Sequence, residues 1–214
     1  MKFAEFVGKN HQILLDSLLR HIELVTISVL GGMLLAIPLG IWLTRHRRLA
    51  GPVLALAGTV QTIPGLVMLG FALILLGTGM LPAVVVLTLY AILPVLRNTY
   101  LGIVEVDRGY TEAARGIGMT DLQMLCSVEL PIALPTIVSG IRLSTVYIVS
   151  WTTLAGMIGA GGLGDLIWTG LATYNKQYIL AGAIPSALLA LVLGGLISLL
   201  ERRLVSAGVR RARV

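Results

Sequence analysis

No charged residue occurs between Leu49 and Leu96, a stretch that reads LAGPVLALAGTVQTIPGLVMLGFALILLGTGMLPAVVVLTLYAILPVL. A helix needs about 20 apolar residues to cross the hydrocarbon core of a bilayer. The stretch is therefore too long for one crossing and long enough for two. Near its middle, the run GTGMLP at 77–82 is typical of a turn. The stretch predicts two membrane-spanning helices, Val53–Leu76 and Leu81–Tyr100, joined by a tight turn.

Three further apolar segments complete the predicted spans: Leu24–Leu43, about Thr136–Ile158 and Ile179–Leu200. The whole chain of 214 residues is 57% hydrophobic and 12% charged, with a mean hydropathy of +0.93. A soluble domain has about 25% charged residues. This composition excludes a disordered chain, a secreted disulfide-rich scaffold and an ordinary cytosolic enzyme. We therefore predict an all-α polytopic membrane protein with about five transmembrane helices in one domain.

Lysine and arginine residues are distributed unequally between the two sides of the predicted membrane. If residues 45–48 are cytoplasmic, alternation of the spans places eleven basic residues inside, within 45–48, 97–129 and 202–213. Four fall outside: Lys2, Lys9, Arg20 and Lys176. Cytoplasmic loops carry the excess of basic residues. We therefore expect an extracytoplasmic, interfacial amino-terminal segment at 1–21, the membrane domain at 22–203, and a basic cytoplasmic tail at 204–214.

The sequence predicts no catalytic, metal or cofactor site. Cys126 is the single cysteine, so the chain can form neither an internal disulfide nor a CxxC metal pair. The run GAGGLG at 159–164 matches G-x-G-x-x-G, but it follows an apolar span rather than a β-strand. We therefore predict a bent re-entrant loop near the outer mouth or a close helix approach instead of a dinucleotide site. No phosphate-binding G-x-x-x-x-G-K-[ST] run occurs, so the chain cannot itself be an ATPase.

The longest charged loop, 97–129, contains two predicted short helices. The Glu-Ala-Ala run at 112–114 favours the first helix, and glycines at 116 and 118 interrupt it. Thr120 or Asp121 can cap a second helix that runs to about residue 128. That second helix would carry three apolar residues on one face: Leu122, Leu125 and Val128. Two short helices that meet at a glycine bend form a protruding knob, which suits a groove on a partner protein.

This loop resembles the EAA signature of ABC importer permeases, in which Glu-Ala-Ala is followed by three residues, Gly, nine residues, Ile, one residue and Leu-Pro. The matching residues are Glu112, Ala113, Ala114, Gly118, Val128 in place of Ile, Leu130 and Pro131. The resemblance extends from about Ile22 to Arg203 and implies the type I importer permease fold, with 22–203 as the permease domain. It also implies that the loop forms a coupling helix, which docks on an ATP-hydrolysing subunit. The residues expected to take part in coupling are Glu112, Ala113, Ala114, Gly118, Met119, Asp121, Leu122, Leu130 and Pro131.

Three further runs are similar to the osmoprotectant branch of this family, which imports glycine betaine, choline, carnitine and related compounds. They are QTIP at 61–64, LPVLRNTYLGI at 93–103 and IGAGGLGD at 158–165. The glycine-rich run is also similar to methionine importer permeases, so a methionine-type or other amino-acid importer remains the alternative. An ATP-independent secondary transporter or channel is the alternative from another class. Such proteins more often bury acidic residues in their spans, and the predicted spans contain none.

The resemblance also implies the partners and location of the chain. They are a pair of ATP-binding subunits that carry ATP and Mg, a second permease copy or paralogue, and a separate extracytoplasmic solute-binding protein. The expected location is the bacterial inner membrane, with the amino terminus outside and the carboxyl terminus cytoplasmic. This chain itself is expected to bind no cofactor.

Five residues are candidates for the gate or the solute pathway: Gln61, Pro64, Arg142, Tyr147 and Trp151. Proline permits a kink in a span, and aromatic rings attract quaternary ammonium groups. For Arg142 we weigh two roles. Its side chain either reaches the inner interface or a helix carbonyl, or pairs with Glu129 or another acidic residue of the loop and links the coupling segment to the gate.

Overall fold

The computed structural model describes residues 3–204, and among these residues it is helical without a β-strand. The helices are α1 (Phe3–Lys9), α2 (His11–Arg45), α3 (Arg47–Thr62), α4 (Gly65–Leu76), α5 (Met80–Val104), α6 (Arg108–Gly116), α7 (Asp121–Met124), a π-helical turn (Leu125–Glu129), α8 (Leu130–Ala155), a 3-10 turn (Gly156–Ile158), α9 (Leu163–Ala172) and α10 (Lys176–Leu204). The tail predicted at 204–214 lies outside the described residues beyond Leu204.

Four helical segments are long and apolar enough to cross a membrane: α2, α5, residues 121–158 and α10. A fifth crossing is formed by α3 and α4, which are bent by 89° at the break between them. This pair joins the two ends of the bundle. Arg47, at the start of α3, lines a cavity together with α6, whereas the Gly79 N–H that follows α4 donates to the carbonyl of Ile158. We name these ends the α6 end and the glycine end. The predicted all-α fold with five spans is confirmed.

The break shows that the predicted span Val53–Leu76 is not one continuous helix. Pro64 has no N–H to donate, and it disfavours the helical conformation of the residue before it. Ile63 accordingly has extended backbone angles, with φ −72° and ψ 128°. In the amino-terminal region, residues 11–21 are continuous with the first crossing as part of α2. Of the interfacial segment, only α1 is a separate helix.

Helix α5 lies at the centre of the bundle, where it packs against α2, α3, α4 and α8. A stripe of small residues on α2 allows this helix to approach α5 closely. A Cβ built on Gly32 would lie 2.7 Å from the Cβ of Ala91, and one on Gly40 would lie 2.9 Å from the Cβ of Thr99. Ala36, between these two glycines, is fully buried. Small residues thus let two transmembrane backbones approach each other, as in other membrane helix pairs.

The glycine-rich run forms the bent loop that the sequence predicts. Gly159, Gly161 and Gly162 all have positive φ values, which side-chain-bearing residues rarely adopt. The close approach is at Gly164, where an added Cβ would lie 2.2 Å from the carbonyl oxygen of Thr153. After the loop, α9 packs against α8 and α10. The run is therefore a packing element between helices.

Helix α2 holds this loop at the glycine end. The Arg20 Nε donates to the carbonyl of Ala160 over 3.2 Å. The adjacent His21 is fully buried, and its Nε2 lies 3.1 Å from the carbonyl oxygen of Val149 on α8. Consecutive residues of α2 thus contact both the glycine-rich loop and the helix that precedes it.

Candidate functional site

The EAA segment folds as a sharp bend at the α6 end of the bundle. The Asp107 side chain caps α6 by accepting from the Gly109 N–H at 2.7 Å. The chain then turns at Gly118, whose φ of +82° is accessible mainly to glycine. Thr120 and Gln123 form a reciprocal capping box that starts α7. The predicted glycine bend and the predicted Thr120 cap are both confirmed.

The bend exposes apolar side chains on both of its sides. Ile117 is 76% exposed and Leu122 is 70% exposed. The other predicted coupling residues divide by burial: Glu112, Ala113, Gly118, Asp121 and Pro131 are exposed, Met119 and Leu130 are half-buried, and Ala114 is buried. Ala114 therefore anchors the bend, while the exposed residues form a surface that a partner can contact.

The second short helix differs from its prediction. It does not end near residue 128, because α7 continues through the π-helical turn into α8. A π-helical turn is wider than an α-helical one, so residues spaced for an α-helix no longer share a face. Leu125 consequently packs against the cluster of Ile103, Ala133 and Ile137, while Leu122 points into solvent. The coupling segment is thus a direct extension of a membrane-crossing helix.

An ion pair joins this segment to the first crossing. Both carboxylate oxygens of Glu129 accept from the guanidinium of Arg45, at 2.7 and 3.2 Å. The Glu129 side chain is 6% exposed and the Arg45 side chain 37% exposed. The pair lines a cavity of about 400 Å³, which Glu112 and three further arginines also line: Arg47, Arg108 and Arg115. The EAA glutamate and the ion pair therefore face the same basic space.

The hypothesis that Arg142 pairs with Glu129 is wrong. Arg142 donates instead to the hydroxyl of Ser198 on α10, over 2.8 Å. Thirteen residues of helix, or about 20 Å at 1.5 Å per residue, separate Arg142 from Glu129, which is beyond the reach of an arginine side chain. Arg142 thus ties α8 to α10, and Arg45 is the partner of the buried carboxylate.

Three of the predicted pathway residues meet at the break between α3 and α4. The Tyr90 hydroxyl donates to the carbonyl of Ile63 at 2.5 Å, and the Gln61 Nε2 donates to the carbonyl of Tyr90 at 3.2 Å. Within α5 that Tyr90 carbonyl has no i+4 donor, because residue 94 is a proline. The broken crossing therefore supplies a donor for a carbonyl of α5, and α5 supplies a donor for a carbonyl at the break.

Trp151 completes the contacts at this break. Its ring stacks on Tyr90 with centroids 5.0 Å apart, and it also covers Gly65 at the start of α4. Tyr147 lies one turn earlier on α8 and is 46% exposed. The structure thus brings together Gln61, Pro64 and Trp151, places Tyr147 beside them and leaves Arg142 elsewhere. Tyr90 is not among the residues predicted from the sequence, although its position four residues before Pro94 in an apolar span is a usable signal.

Comparisons with known proteins identify the family. Residues 36–206 match the family described as "Binding-protein-dependent transport system inner membrane component". The chain is 44% identical to the choline transport system permease protein OpuBB of Bacillus subtilis (strain 168), over 97% of this chain and 96% of that protein. It is also 44% identical to the carnitine transport permease protein OpuCB of Listeria monocytogenes, over 97% of this chain and 95% of that protein.

A solved structure has the same fold. A chain of the MetNI methionine ABC transporter in inward-facing conformations matches with a TM-score of 0.83, over 92% of this chain and 99% of that chain. The two chains are 23% identical, so this match supports the fold and not the solute. Together with the apolar crossings and the EAA bend, these similarities show that the chain belongs to the family of binding-protein-dependent transport system inner membrane components, as a multi-pass membrane permease of the type I ABC importer fold.

Proposed function

We propose that this chain is the permease subunit of an ATP-driven importer for quaternary-ammonium solutes such as glycine betaine, choline or carnitine. The observation that carries the proposal is the 42–44% identity, over nearly the whole chain, to permeases named for the transport of these solutes. The matches run through both the EAA bend and the broken crossing. A methionine-type importer is the second candidate, because the glycine-rich run at 158–165 is also similar to methionine importer permeases.

The bend at 112–131 is proposed to dock on an ATP-binding subunit, which would hold ATP and Mg. Its exposed Ile117 and Leu122 support this role, because large apolar side chains on a protruding bend are typical of a surface that a partner covers. The connection of α7 to α8 through the π-helical turn also supports it, because no loop separates the bend from a membrane-crossing helix. ATP binding and solute delivery would then bias opposite states of one alternating-access assembly.

The remaining components follow from the same proposal. A second permease copy or paralogue would complete the pathway, and a separate solute-binding protein would deliver solute at the glycine end. The α6 end would face the bacterial cytoplasm, which agrees with the eleven basic residues on that side. Residues 22–203 would form the permease domain, between an outer amino-terminal segment and a cytoplasmic tail.

The broken crossing is proposed to border the solute pathway. Non-helical backbone at membrane depth is tolerated where it is buried in protein or lines a water-filled cavity. The exposed Tyr147 ring, next to Trp151, supplies an aromatic surface of the kind that attracts a quaternary ammonium group. Gln61 and Pro64 would then shape the pathway wall rather than contact the solute.

Reconstitution in liposomes with the ATP-binding subunits and solute-binding protein tests the proposal. We expect ATP hydrolysis and uptake to be stimulated by choline, carnitine or glycine betaine, and not by methionine. The Glu112→Ala and Gly118→Ala variants should reduce this stimulation. Gly116→Ala is the matched control, because Gly116 is helical and an added Cβ there meets nothing within 4 Å. Stimulation by methionine alone would overturn the solute class, and uptake without ATP hydrolysis would overturn the importer itself.

A further inference from the structure

Glu129 occupies an unusual position for a charged residue of this chain. It is the last residue of the π-helical turn and is 5% exposed, and both of its oxygens are bound by Arg45. By comparison, the Arg20–Glu23 ion pair is a local contact between two half-exposed side chains. A bidentate pair whose carboxylate is buried, and which joins residues 84 positions apart, fixes the relative position of two segments more tightly than a local pair with an exposed carboxylate does.

The π-helical turn on which Glu129 lies is a natural joint. It connects the four-residue α7, which is held by the Thr120 capping box, to the long α8. A π-helical turn holds one residue more than an α-helical turn, and such turns are often found at functional sites. Movement of α7 relative to α8 therefore concentrates at 125–129, where Glu129 is tied to Arg45.

On the other side of the pair, Arg45 is the last residue of α2. This helix is about 50 Å long, and at its far part Arg20 and His21 contact the glycine-rich loop and α8. Displacement of Arg45 thus acts on a helix that reaches the glycine end. The pair also lines the basic cavity that Glu112 lines. The Arg45 side chain therefore has space into which it can move, and the Glu112 carboxylate lies on the same cavity as a second acidic group.

We infer that the Arg45–Glu129 pair is the link by which movement of the EAA bend reaches α2 and, through it, the glycine end. Glu129 is then a positioning residue for transport: it acts through Arg45 and touches no solute. This inference rests on the proposed function, in which the bend docks on an ATP-binding subunit. An ion pair with a purely structural role would affect assembly of the transporter. The proposed link instead determines how much solute is transported for each ATP that is hydrolysed.

The test measures uptake per ATP hydrolysed in the complete reconstituted transporter. Glu129→Gln and Arg45→Gln should continue to hydrolyse ATP, while uptake per ATP falls by about fivefold or more, which is the lower end of typical coupling between sites. The reversed pair Arg45→Glu/Glu129→Arg should recover most of the lost uptake. Glu23→Gln, which removes the exposed pair on the same helix, is the control and should behave as the wild type. Unchanged uptake per ATP in both single variants would overturn the link.

A second measurement needs no substitution. Cys126 is exposed, lies in the same π-helical turn and is the single cysteine of the chain. Its labelling by a maleimide should change in rate between the nucleotide-free and the vanadate-trapped wild-type transporter. Equal rates in the two states would overturn the link even if the variants fail to assemble.

If hydrolysis and uptake are lost in parallel in the single variants and in the reversed pair, the two residues have a structural role only, and the link is overturned. Wild-type uptake without ATP hydrolysis would overturn the proposed function, and the link with it.

Discussion

Replacing Gly65 by alanine should force apart the segments that meet at the break between α3 and α4. A Cβ built on Gly65 would lie 1.9 Å from Cζ3 and 2.4 Å from Cε3 of Trp151. Carbon atoms in favourable contact are about 3.5–4.0 Å apart, so the indole ring would have to move by about 1.5 Å. The ring is also stacked on Tyr90, which is 3% exposed and bonded to the break. Relief of the clash therefore disturbs the hydrogen bonds at the break as well.

The size of the effect follows from two opposing terms. Overpacking in a well-packed interior costs about 1–3 kcal/mol of the free energy of unfolding. Alanine in place of glycine in a helix gains about 1 kcal/mol when no clash opposes it. Gly70 provides the matched control, because it lies on the same helix and an added Cβ there meets nothing within 4 Å. We expect Gly65→Ala to be less stable than Gly70→Ala by about 1–3 kcal/mol.

Unfolding of the purified permease in detergent, followed as a function of denaturant, measures this difference. The double variant Gly65→Ala/Trp151→Leu provides the internal check, because removal of the indole ring removes the clash. The two substitutions should then be non-additive, with the double variant more stable than the sum of the single effects predicts. Equal stability of Gly65→Ala and Gly70→Ala, or strict additivity in the double variant, would refute the close contact.

Two further predictions concern hydrogen bonds that the structure assigns to single side chains. Gln61→Leu should cost about 1–3 kcal/mol of unfolding free energy, because the Tyr90 carbonyl loses its donor. In a Pro94→Ala background the new backbone N–H of residue 94 can replace that donor, so Gln61→Leu should cost less there. The same unfolding assay measures both costs, and equal costs in the two backgrounds would contradict the assigned hydrogen bond. Thr120→Ala should weaken the start of α7 by about 1 kcal/mol and speed hydrogen exchange of the bonded amides of Gln123 and Met124 about fivefold, whereas Thr120→Ser should keep the wild-type rate.

The number of crossings and the shape of the coupling bend could both be predicted from the sequence, because each depends on local information. A charge-free stretch such as 49–96 has no stable environment other than lipid or a protein core. At the bend, Gly118 and Thr120 determine the backbone within a few residues of themselves. Such features need no knowledge of which distant segment lies beside them.

Two features that the sequence did not predict depend on distant partners. Whether Pro64 kinks a helix or breaks it depends on which groups satisfy the interrupted backbone, and here they come from α5. The partner of Glu129 depends on the π-helical turn, which rotates the carboxylate relative to the α-helical register assumed from the sequence. Several arginines flank the same end of the bundle, so charge alone could not single out Arg45.

The break at Pro64 is better regarded as a fixed corner than as a hinge. Interrupted backbone at membrane depth needs partners for its hydrogen-bonding groups, and at this break two of the carbonyls find them within the protein. Here Tyr90 bonds the Ile63 carbonyl through its hydroxyl, while its own carbonyl, which Pro94 deprives of a helical donor, is bonded by Gln61. Bending the corner would break both bonds together and expose both carbonyls to an apolar environment. The joints that can move at lower cost are those next to water, and among them the π-helical turn at 125–129 is the one directly attached to the bend that a partner would push. For this reason we place the moving element of the transport cycle at the α6 end rather than at the proline in the middle of the crossing.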